Sequence, residues 1–540
     1  MAFISRFCIR MKPLALRMLC LLSAVLLLPL PAEASNVEDD LVVGIQSSRT
    51  MAIRPLEPIE RDFMSIYDLM YDGLMVINDD YLPECALAES YSHSGKTWTF
   101  KLRDDLFFSD GSPVTADDVV ATANWIINKV KNAEAAEKEA KARNEAVVVD
   151  KGYYMNLKYF VSSVSARDDL TVVFKVDRNY FGLLYALTFP VLPAGALEMD
   201  NPPGTGAYMM ESFMPGNSLQ LVANPHWWRT PPQVKSILFV MHQLPAQVIE
   251  AYEYARVDAA FTRQIASAQY KSGTASLALD YRTNQLECLL MNHSAFPLNS
   301  KNVREAIRYL VNVDYIAQQI YNGMVERTNT PFVAGSWMYN DKLGAYFRQD
   351  PTKAMALLDE DGWSDTNDDG ILDKPNDKGD SVKLELDLYV YEEPDNDVRL
   401  ETANYIKDTL ENYGFAVNII TVSYAQAVQK LSVGAYELAL ASYAMDVCPD
   451  AGFMLIAGNT GNYSRYRSSA MTDLCSELRT KMEQPEYQYT LHAIQEQFAK
   501  DCPFICMFYR SGTVLTRKMY TTVRDVRELE LLKGIEDFRN

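Results

Sequence analysis

Strand-forming runs and capped amphipathic segments take turns along nearly all of this chain, and that alternation limits its fold more than any other feature. The runs "DLVVGIQ" (40–46), "TWTFKLR" (97–103), "TVVFKV" (171–176), "SILFVMH" (236–242) and "VKLELDLYVY" (382–391) are rich in β-branched and aromatic residues. They read as strands. Helices are marked by their ends. Thr115 with Asp118 suits an N-cap followed by first-turn acids in "TADDVVATANWIINKV". Asp350-Pro351 opens "DPTKAMALLDEDGW" with a cap and a proline at the first helical position, and Gly362 closes it. "NVREAIRYLVN" and "DYIAQQIYNG" predict two successive helices, the second stopping at Gly323. Over 540 residues this pattern predicts an α/β architecture of several domains. No unit of about 20 to 50 residues repeats, so solenoids and propellers are excluded.

The first 34 residues read as an export signal rather than as part of the fold. Arg6, Arg10, Lys12 and Arg17 precede the apolar run "LCLLSAVLLLPL", and Ala32-Glu33-Ala34 forms a small-x-small cleavage site, so cleavage is expected after Ala34. The run falls short of the roughly 20 residues of a comfortable membrane span. The mature chain is therefore expected on the periplasmic or extracellular face of the cytoplasmic membrane. Cleavage takes away four basic residues and one acid, which moves the net charge from −20 to −23. Such a surface argues against nucleic acid and anionic membranes as partners.

Six cysteines remain after cleavage: Cys85, Cys288, Cys448, Cys475, Cys502 and Cys506. An even number in an exported chain permits disulfides, with about fifteen possible pairings. Cys502 and Cys506 lie in an apolar, strand-like run and are expected to be simply buried. "KNAEAAEKEAKARNEA" (131–146) carries acid–base pairs at i,i+4 and predicts a solvated helix.

Catalytic signatures are missing. The five histidines, His93, His226, His242, His293 and His492, form no H-E-x-x-H, and neither G-x-S-x-G nor a phosphate-binding loop occurs. No cofactor is expected. In "DTNDDGILDKPN", Asp365, Asn367, Asp369, Gly370 and Asp373 stand at loop positions 1, 3, 5, 6 and 9 of a calcium loop. Asn376 replaces the bidentate glutamate at the last position. A polar turn is expected there rather than a metal site.

Four blocks carry a resemblance: "YDGLMVINDDYLPECALAESYSHSGKTWTFKLRDDLFFSDGSPVTADDVVAT" (71–122), "GTGAYMMESFMPGNSLQLVANPHWW" (204–228), "NVREAIRYLVNVDYIAQQIYNG" (302–323) and "DPTKAMALLDEDGWSDTNDDGILD" (350–373). Together they resemble the bacterial extracellular solute-binding proteins of the oligopeptide/dipeptide family, the capture subunits of ABC importers. The resemblance implies a two-lobed periplasmic-binding-protein type II fold with an extra subdomain. Lobe I would combine residues 35–72, 179–285 and 509–540, the subdomain 73–178, and lobe II 286–508, with hinges near 285 and 508. It also implies a monomeric, non-enzymatic protein that captures short peptides between its lobes and hands them to a membrane-embedded permease. Related binders on this scaffold take oligosaccharides, nickel chelates or haem. An exported hydrolase, the reading from another class, would need a nucleophile–base pair or a metal set that the sequence does not offer.

Within "AYELALASYAMDVCPD" (435–450) a strand of little side-chain bulk ends in an acid. A guest backbone that adds to a strand edge needs that edge unobstructed. By the resemblance, Ser442, Tyr443 and Ala444 form the strand that pairs with the peptide, and Asp446 grips its α-ammonium. Ile59, Glu60 and Arg61 would form the opposing wall. Arg399, in "YEEPDNDVRLE", is the nearest basic candidate for the ligand carboxylate. Read without the resemblance, Asp446 is a turn or capping acid before "PDAGFMLIAG".

Overall fold

A computed structural model of the chain describes residues 40–47, 49–58, 60–143, 149–272, 277–376, 378–393, 397–517 and 526–536. The expected export signal (1–34) and Ile59 lie outside the described residues.

Two unusually long strands organise the molecule. The main sheet is built from β1 (Asp40–Gln46), β2 (Tyr208–Met214), β3 (Ser218–Ala223), β4 (Ser236–His242), β5 (Ala259–Thr262), β6 (Leu277–Met291), β7 (Val325–Arg327), β8 (Glu385–Tyr391), β9 (Ala416–Val422), β10 (Leu438–Ala444) and β11 (Phe504–Thr516). Their order is β9-β8-β10-β6-β11-β5-β1-β4-β3-β2, with β7 also paired to β11. β6 and β11 run antiparallel through the centre and pair twice. Residues 277–282 pair with 511–516, where β5 flanks β11. Residues 286–290 pair with 504–509, where β10 flanks β6. Between the two ladders the register shifts, leaving residues 283–285 without partners on β11.

Successive side chains of a strand face opposite layers, and both layers here are apolar. Leu438 and Leu440 of β10 pack with Leu386 and Leu388 of β8 and with Ile406 and Leu410 of α1 (Val398–Glu411). Ala439, Ala441 and Tyr443 face the other way, into a cluster with Leu286, Cys288, Phe504 and Cys506.

A separate four-stranded antiparallel sheet has the order Ala88–Ser94, Thr97–Leu102, Thr171–Val176, Val161–Asp168. Trp98, Phe100 and Phe174 are buried there, and the helix Ala116–Ala142 packs against the strand Val161–Asp168. The cap at Asp350 forms as expected, whereas at Thr115 the bonds run the other way, from Thr115 to Asp118. The Asp118 carboxylate accepts from the backbone N–H and the hydroxyl of Thr115, each at 2.9 Å. Asp350 accepts from the Lys353 N–H at 3.0 Å, with Pro351 opening the helix Pro351–Glu360.

Three local readings change. The helix Ala116–Ala142 runs unbroken for 27 residues into the alanine-rich charged segment, because no glycine or proline separates the two. "DYIAQQIYNG" forms one α-turn, Val313–Tyr315, followed by a π-turn over Ile316–Ile320. "VKLELDLYVY" divides: Ser381–Lys383 pairs with Asp373–Pro375, and Glu385–Tyr391 enters the main sheet.

The "GTGAY" block owes its glycines to a close approach. A Cβ at Gly204 would lie 2.0 Å from the Met70 carbonyl oxygen, and one at Gly206 would lie 2.4 Å from that of Leu69. The end of the helix Arg61–Met70 rests directly on this backbone, with the Gly206 N–H donating to Met70 O at 2.9 Å. Among the described residues no helix is long and apolar enough to cross a membrane.

Candidate functional site

The irregular stretch 283–285 of β6 opens a cavity at the centre of the molecule. Its lining comes from Tyr81, Arg282, Asn284, Pro331–Val333, Met445–Ala451, Tyr509 and Arg527–Glu528 among others, around a hollow of about 50 Å³. A second recess of about 40 Å³ is lined by Tyr153, Tyr154, Asn156 and Tyr185, and shares Asp446, Val447 and Cys448 with the first. Asp446 therefore stands on the wall between two hollows.

β10 delivers it there. Along one edge β10 pairs with β6 from Leu438↔Met291 to Ala444↔Gln285. Along the other, β8 pairs only with Leu438, Ala439 and Leu440. Among the described residues, Ala441–Ala444 have no strand partner on that edge. The Met445 N–H donates to Asn284 O at 2.8 Å, which turns the chain into the cavity.

Asp446 is solvent-exposed and lines both hollows. Desolvation raises its pKa above the ordinary value, against the lowering pull of the Cys448 and Val447 N–H groups. The Cys448 N–H donates to Oδ1 at 3.1 Å, so the turn-acid geometry is present as well. The Asn156 amide donates to Oδ2. No cation pairs with Asp446 among the described residues. Its neighbour Asp450 differs: it holds Arg479 at 2.7 and 3.1 Å and accepts from the Tyr180 hydroxyl at 3.2 Å.

The remaining residues read from the sequence fall into different places. Ser442 sits in a polar cluster with the Tyr391 hydroxyl, Glu287 and Arg399, each at 3.1 Å. Ala444 is exposed. Tyr443 is buried; its hydroxyl donates to Gly461 O at 2.9 Å and its ring stacks on Tyr463. Its side chain therefore belongs to the core, and only its backbone could meet a ligand.

Arg399 is 2% exposed. It is held by Glu287 at 3.0 Å and Glu393 at 2.9 Å, with its guanidinium 4.1 Å from the Tyr391 ring centroid. This corrects the expectation of a ligand-facing arginine: two buried carboxylates already use its charge. Arg510 completes the group, 2.6 Å from Glu287 and bidentate to Glu393 at 2.7 and 3.0 Å.

Glu60 is turned inward, accepting from Ser47 Oγ at 2.7 Å and from the N–H and hydroxyl of Thr50. Arg61 reaches the cavity through Glu528, which it meets at 3.1 Å and which also accepts from Asn284 N–H at 2.6 Å. In the acidic loop, Asp365 accepts from Gly370 N–H at 2.9 Å, Asp369 pairs with Lys383 at 2.6 Å, and Asp373 accepts from Thr366 and Ser381. Asn367 accepts from the Asp369 N–H. Those oxygens serve the turn itself, and no described group of His, Cys, Asp or Glu has the arrangement of a metal site.

Sequence reasoning missed the cavity's own cations. Arg282 donates to the Tyr81 hydroxyl at 2.6 Å and lies 4.9 Å from its ring centroid, and Arg527 lies 4.8 Å from the same ring. Both sit on the cavity wall. Neither carries a motif: Arg282 stands at the register break of β6, and Arg527 comes from the distant segment 526–536 that bridges to it.

The profile described as "Bacterial extracellular solute-binding proteins, family 5 Middle" matches residues 82–465, well over half of the chain. The chain belongs to this family. A similar curated relative is the probable D,D-dipeptide-binding periplasmic protein DdpA of Escherichia coli, 23% identical over 92% of this chain and 94% of its own length. Among solved structures, the oligopeptide-binding protein AppA of Bacillus subtilis in complex with a nonapeptide shares 19% identity, covers 92% of this chain and 98% of its own, and has a TM-score of 0.65. NikZ of Campylobacter jejuni in complex with Ni(L-His) shares 19%, covers 93% and 99%, and has a TM-score of 0.68. The fold is thus that of the type II periplasmic binding proteins. One scaffold carries a peptide in the first neighbour and a metal complex in the second, so cargo has to be argued from the site.

Proposed function

We propose that this family member is an exported capture protein for short peptides with a free amino terminus, which it delivers to a membrane-embedded ABC permease. The observation that carries the proposal is Asp446: a carboxylate without a cation among the described residues, on a cavity wall, just past a strand edge that has no described strand partner beyond Leu440. A peptide adding to that edge would bring its ammonium to Asp446. Its carboxylate would go to Arg282, which lines the same cavity, in place of Arg399. The dipeptide in the name of DdpA supports this cargo, as does the nonapeptide in AppA. The five histidines are absent from the lining of both hollows, which favours peptides over a histidine-held metal complex.

In this reading residues 35–72, 179–285 and 509–540 form lobe I, 73–178 the extra subdomain and 286–508 lobe II. The protein closes as a monomer by bending at 283–285 and 509–511. It binds and releases without covalent chemistry. The decisive experiment is mass spectrometry of ligands released by denaturing the protein purified from the export compartment. Mixed short peptides are expected; a sugar, a metal complex or turnover of an added peptide would overturn the assignment.

A further inference from the structure

Cys288 and Cys506 are direct cross-strand partners on β6 and β11. Both are free thiols in this structure, buried in the same apolar cluster at 0% and 3% exposure. Residues opposite each other in an antiparallel pair have Cα atoms about 4.5–5.5 Å apart, inside the range of about 4.4–6.8 Å that a disulfide spans. The register shifts between Glu287 and Cys288, so that Glu287 faces Phe508 and Cys288 faces Cys506. Without that shift Cys288 would face Met507, and no cysteine pair would form. The residue across β6 from Cys288 on its other side is Ala441, one of the small residues of β10.

The other four exported cysteines do not share such a partner. Cys502 Sγ contacts Arg304 O, Cys448 Sγ contacts Gly182 O, and Cys475 and Cys85 lie on separate elements. The geometry points to a Cys288–Cys506 disulfide that ties the two central strands together. It is made as the chain folds, by exchange with a disulfide donor such as oxidised glutathione or an oxidising protein disulfide. Each thiol loses its proton, the two sulfurs join, and the electron pair released reduces the donor disulfide to two thiols.

Timing follows from burial. In the folded chain, burial and the contact with Cys506 raise the Cys288 thiol pKa well above its ordinary value, so the thiolate needed for exchange is scarce. The bond therefore forms as β6 and β11 pair, before the surrounding apolar cluster closes over the sulfurs, and once formed it is shielded from reductant. Its position has a mechanical consequence. Cys288 lies three residues beyond the stretch 283–285 that lacks register partners on β11, so the bridge clamps both strands on one side of the bend. The two strands then move as one unit when the cavity opens. Only the supply of an oxidising compartment rests on the export reading above.

The test is refolding of the reduced, denatured full chain in a glutathione redox mixture, followed by alkylation in denaturant and peptide mapping. The expected product is a Cys288–Cys506 cross-linked peptide, about 2 Da lighter than its two free-thiol components. Refolding to native secondary structure with both thiols alkylated, or a bridge to a different cysteine, overturns the inference. A Cys288→Ala/Cys506→Ala variant supplies the second readout. Reductant present during refolding should lower the thermal midpoint of the parent by roughly 5 °C, and should leave the variant's unchanged. Equal effects on both also overturn it. Acid-quenched protein from cells reports separately on export: a bridge obtained in vitro but missing in vivo counts against the compartment, not the geometry.

Discussion

Glu287→Gln should be among the most damaging conservative changes in this protein. Glu287 is 1% exposed and sits where Arg399, Arg510, Gln285 and Ser442 converge. Together with Glu393 it balances two buried guanidinium groups. The amide keeps the shape of the carboxylate, so no cavity opens, but Arg399 and Arg510 are left sharing Glu393 alone. Removing one partner from a buried ion pair costs about 3–5 kcal/mol, because the remaining charge has no water to turn to. With a urea m-value of about 3 kcal/mol/M, the unfolding midpoint should fall by a little over 1 M. A charge-balancing second change sharpens the argument. In Glu287→Gln/Arg510→Met, Arg399 and Glu393 again form a neutral pair, so the double variant should lose less than the two single losses added together. Equilibrium denaturation followed by circular dichroism measures all three. A single-variant loss below about 1 kcal/mol, or strict additivity in the double, would refute the view that uncompensated buried charge sets the cost of the substitution.

Three further outcomes follow from the site and its supports. Asp446→Asn should weaken a free-amine tripeptide by about 10- to 100-fold, the range of one charge-assisted hydrogen bond, while an N-acetylated tripeptide changes little; titration calorimetry that finds equal losses removes Asp446 from that role. Because burial raises the Asp446 pKa, the empty site takes up a proton more readily than a free carboxylate, and an incoming ammonium favours the ionised form. Binding should therefore release protons, and weaken, as pH falls into the window just above the usual carboxylate range; calorimetry in buffers of different ionisation enthalpy detects the release, and a buffer-independent enthalpy there contradicts it. Gly204→Ala should be strongly destabilising, since its methyl would meet the Met70 carbonyl at 2.0 Å; a thermal midpoint unchanged by the substitution would mean that the helix end shifts without penalty.

Local signals were legible from the residues, and long-range ones were not. Asp350-Pro351 acts within one turn of backbone, so its cap forms as read, and Thr115 and Asp118 meet at their helix start for the same local reason, though with Asp118 as the acceptor. The strand ending at Ala444 was legible for the same reason: its composition suits a pleated edge whatever lies beside it. β6 escaped notice because its 15 residues mix charged, polar and apolar types; it is a strand through its neighbours β10 and β11. Arg399 was misread because a sequence shows a charge but not its partners. Glu287 lies 112 positions away from it and Arg510 another 111 from Arg399, and burial turns their meeting into mutual neutralisation. Likewise, the paired cysteines became visible through a one-residue register shift that no composition records. Backbone propensity acts over a few residues and is written in order along the chain; charge compensation and cross-strand register depend on which distant segments meet, and that is settled by packing.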